Sequence, residues 1–133
     1  MTTAPHQTTG RAATVTLWVL QIVMACFFLI SAMGKFAGTE PAASTFEAIG
    51  LGDWFRNLTG VLEVAGAVAL LVPRLAGVAG LAFVGLTVCA ALTEAFVSGG
   101  GLVLPLVALV LCAVIAWGRR SSTARLWALV ARR

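Results

Sequence analysis

The chain has 133 residues, of which 60% are hydrophobic and 11% charged, against about 45–50% apolar and ~25% charged in an ordinary soluble domain. A single domain of this size has too little interior to hide that much apolar surface, so a water-soluble fold is excluded and lipid must cover the rest. The net charge of +4 reflects the two sides of a membrane and its headgroups, and gives no reason to expect a nucleic-acid partner.

The polar opening MTTAPHQTTG predicts a disordered segment over residues 1–13. It contains the only histidine, His6, which is given no functional role. Residues 14–33 (TVTLWVLQIVMACFFLISAM) are the first of four apolar runs. Each is close to the ~20 residues that a helix needs to cross a hydrocarbon core about 30 Å thick. This first run is longer than the roughly 7–15 residues of a signal-peptide core and has only Arg11 as a close basic flank, so it reads as a retained helix.

Beyond it, TEPAASTFEAIG predicts a short helix with Thr39 as N-cap, Pro41 in the first turn and Gly50 as the stop. Phe46 and Ile49 share one face of it, which suits a position on the membrane surface or over the end of a bundle. Asp53 reads as the N-cap of the second apolar run, residues 54–72. The third run covers residues 75–97 and the fourth residues 102–117.

Backbone in lipid must satisfy its own hydrogen bonds, so all four runs are read as helices. Pro73 and Arg74 alone separate the second from the third, and SGGG separates the third from the fourth; such links allow only antiparallel neighbours. Small residues at helical spacing, Ala65 with Ala69 and Ala76 with Gly80, permit close approach. The expected fold is an all-α integral membrane protein: an antiparallel bundle of four transmembrane helices over residues 14–117, with a short outer interfacial helix. After it, residues 118–133 (GRRSSTARLWALVARR) form a basic amphipathic tail. Leu126, Trp127 and Val130 lie on one face and Arg125, Arg132 and Arg133 largely off it, the pattern of a helix in the headgroup layer.

This arrangement gathers Arg11, Arg74, Arg119, Arg120, Arg125, Arg132 and Arg133, seven of the nine Lys and Arg residues, at one side. By the positive-inside rule that side is cytoplasmic and both termini are inside. All five acids, Glu40, Glu47, Asp53, Glu63 and Glu94, lie on or near the outer side. Trp18, Trp54 and Trp117 fall near the interfaces as anchors. Eight arginines to one lysine, with abundant Ala, Gly and Val, point to a bacterium with GC-rich coding, hence to its inner (plasma) membrane.

Several chemistries find no support. Cys26, Cys89 and Cys112 lie in separate helices without a C-x-x-C or a basic partner, and read as small hydrophobes. No metal-ligand spacing and no phosphate-binding glycine loop occur. No nucleophile and base pair is visible, so no catalytic residue is assigned and an autonomous enzyme is the least favoured reading.

What remains is charge inside the membrane. Glu63 sits alone among uncharged residues in LTGVLEVAGAVALLV, about 13 Å along the helix from Trp54 at ~1.5 Å per residue. Unpaired there, it would cost at least about 2.5–3.5 kcal/mol. Lys35, one turn beyond Ser31, is the obvious partner. Glu94 ends the third helix on the same side; helical spacing adds Arg56 and Thr59 to the face of Glu63, and Thr87 and Ala91 to that of Glu94. Ser31, Lys35, Arg56, Thr59, Glu63 and Glu94 are therefore the candidate polar cluster in the outer half of the bundle, a functional-site candidate that competes with a structural salt bridge.

These residues carry a resemblance. Gly34 and Lys35 at the end of the first helix, Glu63 and Gly66 in the second, the Pro73 and Arg74 turn and an alanine-rich third helix ending in a polar residue resemble the DoxX/DoxX-like family of small four-helix membrane proteins, over residues 17–117. The resemblance implies a subunit or accessory of a quinone-linked membrane redox complex, with Lys35 and Glu63 as motif positions and other membrane redox proteins as partners. A quinone or another lipid-like ligand would be the bound group. Assembly factor for other membrane proteins and small proton-coupled transporter are the alternatives; the second lacks a visible inverted repeat. The bundle is also compatible with self-association.

Overall fold

The computed structural model describes residues 4–40, 42–99 and 101–132, with side chains from residue 10 onward. The expected place of Pro41 in a first turn, the side chain of His6 and the position of Arg133 lie outside the described residues. The described residues form six α-helices: α1 (Ala4–Ala37), α2 (Ala42–Ile49), α3 (Asp53–Leu70), α4 (Ala76–Thr93), α5 (Val103–Gly118) and α6 (Arg120–Ala131), with a π-helical turn Glu94–Ser98 continuing α4.

Helix α1 begins ten residues before the apolar run. Of the segment expected to be disordered, residues 1–3 are outside the described residues and the rest form the first turns of α1. Once a long helix is nucleated, each added residue gains a backbone hydrogen bond, so the Ala- and Thr-containing flank can extend it. Thr14 and Thr16 follow this course, their hydroxyls donating to the carbonyls of Gly10 and Ala12.

Four helices close a ring: α1 packs on α3, α3 on α4, α4 on α5 and α5 back on α1. The α1 and α3 pair is antiparallel, with Gln21 beside Leu70 and Lys35 beside Glu63. Gly80 lies against Ala116, which sets α4 and α5 antiparallel as well. At the centre the rings of Phe28 and Phe83 stack with centroids 3.7 Å apart and planes nearly parallel, at 2°. A Cβ at Gly66 would collide with the Phe83 ring, so glycine there is what lets α3 approach.

The distribution of side-chain size is inverted relative to a soluble bundle. Ala25, Ala32, Ala67, Ala76, Ala79 and Ala108 are buried, while Val19, Ile30, Val61, Val68, Leu81 and Val110 face outward. Small residues inside let backbones approach, and large aliphatic ones outside meet lipid. Two helices are long and apolar enough to span a membrane by themselves, over Gly10–Ala37 and Ala76–Ser98, and a third span arises if α5 and α6, bent by 63°, are taken together. The chain is thus an all-α, multi-pass membrane protein. Helix α3 falls outside this count although it has 18 residues, because it carries Asp53, Arg56 and Glu63. Helix α5 has only 16 residues.

Helix α2 sits over the acid-bearing end of the bundle, touching α1, α3 and the π-helical turn. Its start meets expectation in the backbone, where the Thr39 carbonyl accepts from the Ala43 N–H, but not in the side chain. The Glu40 carboxylate, not the Thr39 hydroxyl, accepts from the Ser44 N–H and Oγ, whereas Thr39 Oγ1 turns back to the Gly34 carbonyl at 3.3 Å. The helix stops as expected, at Gly50 with φ 81°. Nor is Asp53 an N-cap: Gly52 holds that position and Asp53 is the first residue of α3. Glycine already supplies the non-helical turn, which frees the Asp53 carboxylate to pair with Arg56.

At the opposite end α6 folds across the start of α4. Any Cβ at Gly77 would overlap Thr123 Oγ1 and approach the Arg119 carbonyl to 2.6 Å, so this close seat also requires glycine.

Candidate functional site

Among the described residues, the α1 and α3 interface contains two fully buried polar side chains, Gln21 and Glu63. Around Glu63 the geometry is closed and specific. Helical spacing brings Ser31 and Lys35 onto the same face of α1, and the Lys35 ammonium donates to Ser31 Oγ at 2.7 Å and to Glu63 Oε1 at 3.0 Å. Ser31 Oγ in turn donates to the same Glu63 oxygen at 3.2 Å. The lysine side chain is 13% exposed and the glutamate 5%. A charge pair so far from solvent persists only when both ions are held by further hydrogen bonds.

Its neighbours hold the pair in place. Arg56 Nε donates to the Lys35 carbonyl at 2.7 Å, joining the Gly38 N–H that donates to the same oxygen at 3.3 Å near the end of α1. The same guanidinium binds Asp53 Oδ1 at 3.0 Å. Phe46 of α2 lies 6.0 Å from the Lys35 ammonium and 5.8 Å from the Phe55 ring, so the short helix roofs the pair with aromatic surface.

One atom stands out: Glu63 Oε2 is buried and has no hydrogen-bond partner among the described residues. Nearly all buried polar atoms in folded proteins are paired, so an orphan carboxylate oxygen at the centre of a polar cluster calls for an explanation.

The structure unites Ser31, Lys35 and Glu63, with Arg56 attached through the Lys35 backbone. It does not add the other two candidates. Thr59 Oγ1 donates to the Phe55 carbonyl of its own helix. Glu94 accepts from Ser98 within the π-helical turn. Helical spacing assigned Glu94 a face but not a height. Because Gly66 meets Phe83, Glu63 is level with about residue 86 of the antiparallel α4. Glu94 therefore lies roughly 12 Å further out, where α2 packs against the π-helical turn.

A second polar linkage escaped the sequence reading. Gln21 Nε2 donates to the Leu70 carbonyl at 2.6 Å, and Gln21 Oε1 accepts from Arg119 Nε at 2.8 Å. The Arg119 guanidinium also lies 5.6 Å from the Trp18 ring. Its only sequence signal was an uncharged amide inside an apolar run. Two outer grooves, of about 610 and 560 Å³, open near this end of the bundle, and neither is lined by Lys35 or Glu63.

Compared with known protein families, residues 19–117 match the DoxX-like family. No curated protein and no solved structure matches the chain.

Proposed function

The chain belongs to the DoxX-like family, and from that premise we propose that it is a non-catalytic subunit or accessory of a quinone-linked membrane redox complex. In this reading Ser31, Lys35 and Glu63 hold the polar head of a quinone or a similar lipid-like molecule, and the apolar helices take its tail. The four ring-forming helices all span the bilayer: α3 and α5 turn Val61, Val68, Val107 and Val110 outward like the two longer helices. The arginine-rich end faces the cytoplasm of a bacterial cell, with both termini inside.

The observation that carries the proposal is the unpartnered Oε2 of Glu63. A lysine ammonium has three donors; two go to Ser31 and Glu63. One N–H therefore remains for a ligand carbonyl, and Oε2 can accept from a ligand hydroxyl. These are the two groups that the oxidised and reduced forms of a quinone present, so the residues fit the group. Such a molecule would itself supply the electron-transfer chemistry. The chain's part is to bind it, orient it and keep it from water under α2.

The test is purification in mild detergent of the wild type and of Glu63→Gln, with mass spectrometry of every copurifying protein and lipid-soluble molecule. Glutamine keeps the shape and removes the charge, so the variant is expected to stay folded and to lose a specific quinone-like molecule or partner. If both forms carry the same set, or the variant merely unfolds, the pair is a structural salt bridge and the ligand reading is abandoned.

A further inference from the structure

We propose that the groove between α4, α5 and α6 is a binding site for one anionic phospholipid. Its acyl chain would lie along Leu81, Val84 and Ala113 and its phosphate against Arg120. The proposal is independent of the ligand reading at Glu63 and needs only that the chain sits in a bilayer.

The groove has a volume of about 560 Å³ and changes character along its length. Toward the middle of the bundle its walls are Leu81 and Val84 of α4 and Ala113 of α5. Toward the end they are Trp117, Arg120, Thr123 and Trp127. The 63° bend between α5 and α6 makes the change, because α6 leaves the direction of the bundle and crosses its end. Trp117 and Trp127 are 71% and 74% exposed, the surroundings that indoles take at the boundary between chains and headgroups. An amphiphile with its polar group at the boundary would thus meet matching chemistry at both ends.

Charge selects the class of headgroup. Arg120 lies 4.5 Å from the Trp117 ring and donates to the Trp117 carbonyl, which fixes the guanidinium at the groove mouth. Among the described residues both ion pairs, Lys35 with Glu63 and Arg56 with Asp53, lie at the opposite end. Among those residues Arg120, Arg125 and Arg132 form no ion pair with a carboxylate, and Arg119 has a buried nitrogen without a hydrogen-bond partner. Arg120 and Thr123 also belong to the first turn of α6, where the helix carries positive partial charge toward an anion. A phosphodiester with no compensating cation, as in phosphatidylglycerol, fits this mouth; a zwitterionic headgroup brings its own positive charge and fits it less well.

Because Trp117 and Trp127 line the groove, occupancy is readable by fluorescence. Full-length protein in detergent would be titrated with phosphatidylglycerol or phosphatidylcholine carrying dibrominated acyl chains, and tryptophan quenching recorded. The anionic lipid is expected to reach half-quenching at a concentration roughly fivefold lower, the effect of about one arginine contact. Arg120→Gln should erase that preference. Ala124→Phe, which fills the groove, should weaken quenching by both lipids, whereas Arg125→Gln, outside the lining, should change nothing. Equal quenching by the two lipids in the wild type would overturn the proposal. So would an equal loss in Arg120→Gln and Arg125→Gln, which would mean diffuse attraction to a basic surface without a site.

Discussion

The two ends of the α1 and α3 interface solve the same problem by different means. At the acid-bearing end a cation and an anion from neighbouring helices neutralise each other, with Ser31 bridging them. At the arginine-rich end an uncharged amide of α1 links α3 to the junction of α5 and α6, accepting from Arg119 at that junction while donating to the Leu70 carbonyl on α3. The first linkage is complete in charge but leaves an oxygen unpaired. The second leaves Gln21 well satisfied but carries a cation, Arg119, that forms no ion pair among the described residues. In the two proposals made above, the first end takes a ligand that supplies hydrogen bonds, and the other a lipid that supplies negative charge.

Removing one member of each linkage should separate these cases. Lys35→Met leaves a buried carboxylate with only Ser31, and the expected loss is about 3 kcal/mol, read as a fall in the thermal midpoint in detergent. The double variant Lys35→Met, Glu63→Leu should recover most of it, since replacing both ions by apolar groups is close to neutral. Failure to recover would mean that the pair stabilises the bundle by itself. Gln21→Leu should cost less, about 1–3 kcal/mol, the penalty for stranding the Leu70 carbonyl and the Arg119 donor. If it costs as much as Lys35→Met, the contrast between a charged and a neutral linkage fails. Asp53→Asn marks the lower bound: the Asp53 side chain is 83% exposed, and the midpoint should correspond to a change within roughly 0.5 kcal/mol.

Much of this was visible before any fold was known, for a physical reason. Lipid forbids isolated charge, so Glu63 and Lys35 stood out against apolar sequence, and helical spacing supplied Ser31 and Arg56. The helices themselves were legible because each long apolar run must hydrogen-bond internally. Three features were not. The partners Gln21 and Arg119 are 98 positions apart, and a glutamine carries no charge to announce it. Glu94 lies beyond the height of Glu63, because local spacing holds no information on how far one helix slides along another. The N-terminal extension of α1 also escaped, since a polar flank added to a stable helix has no apolar period to read.

The stacked rings of Phe28 and Phe83 have an electrical consequence. They lie between the two polar linkages, with Met24, Ala25, Ala67 and Leu70 packed in the same buried cluster. Along α1, Gln21 and Ser31 are ten residues apart, about 15 Å, and the space between them is filled by groups that neither solvate an ion nor relay a proton. A charge entering from either end would have to part the ring pair, so reconstituted protein is expected to leave a membrane's resistance unchanged, which a conductance measurement would check.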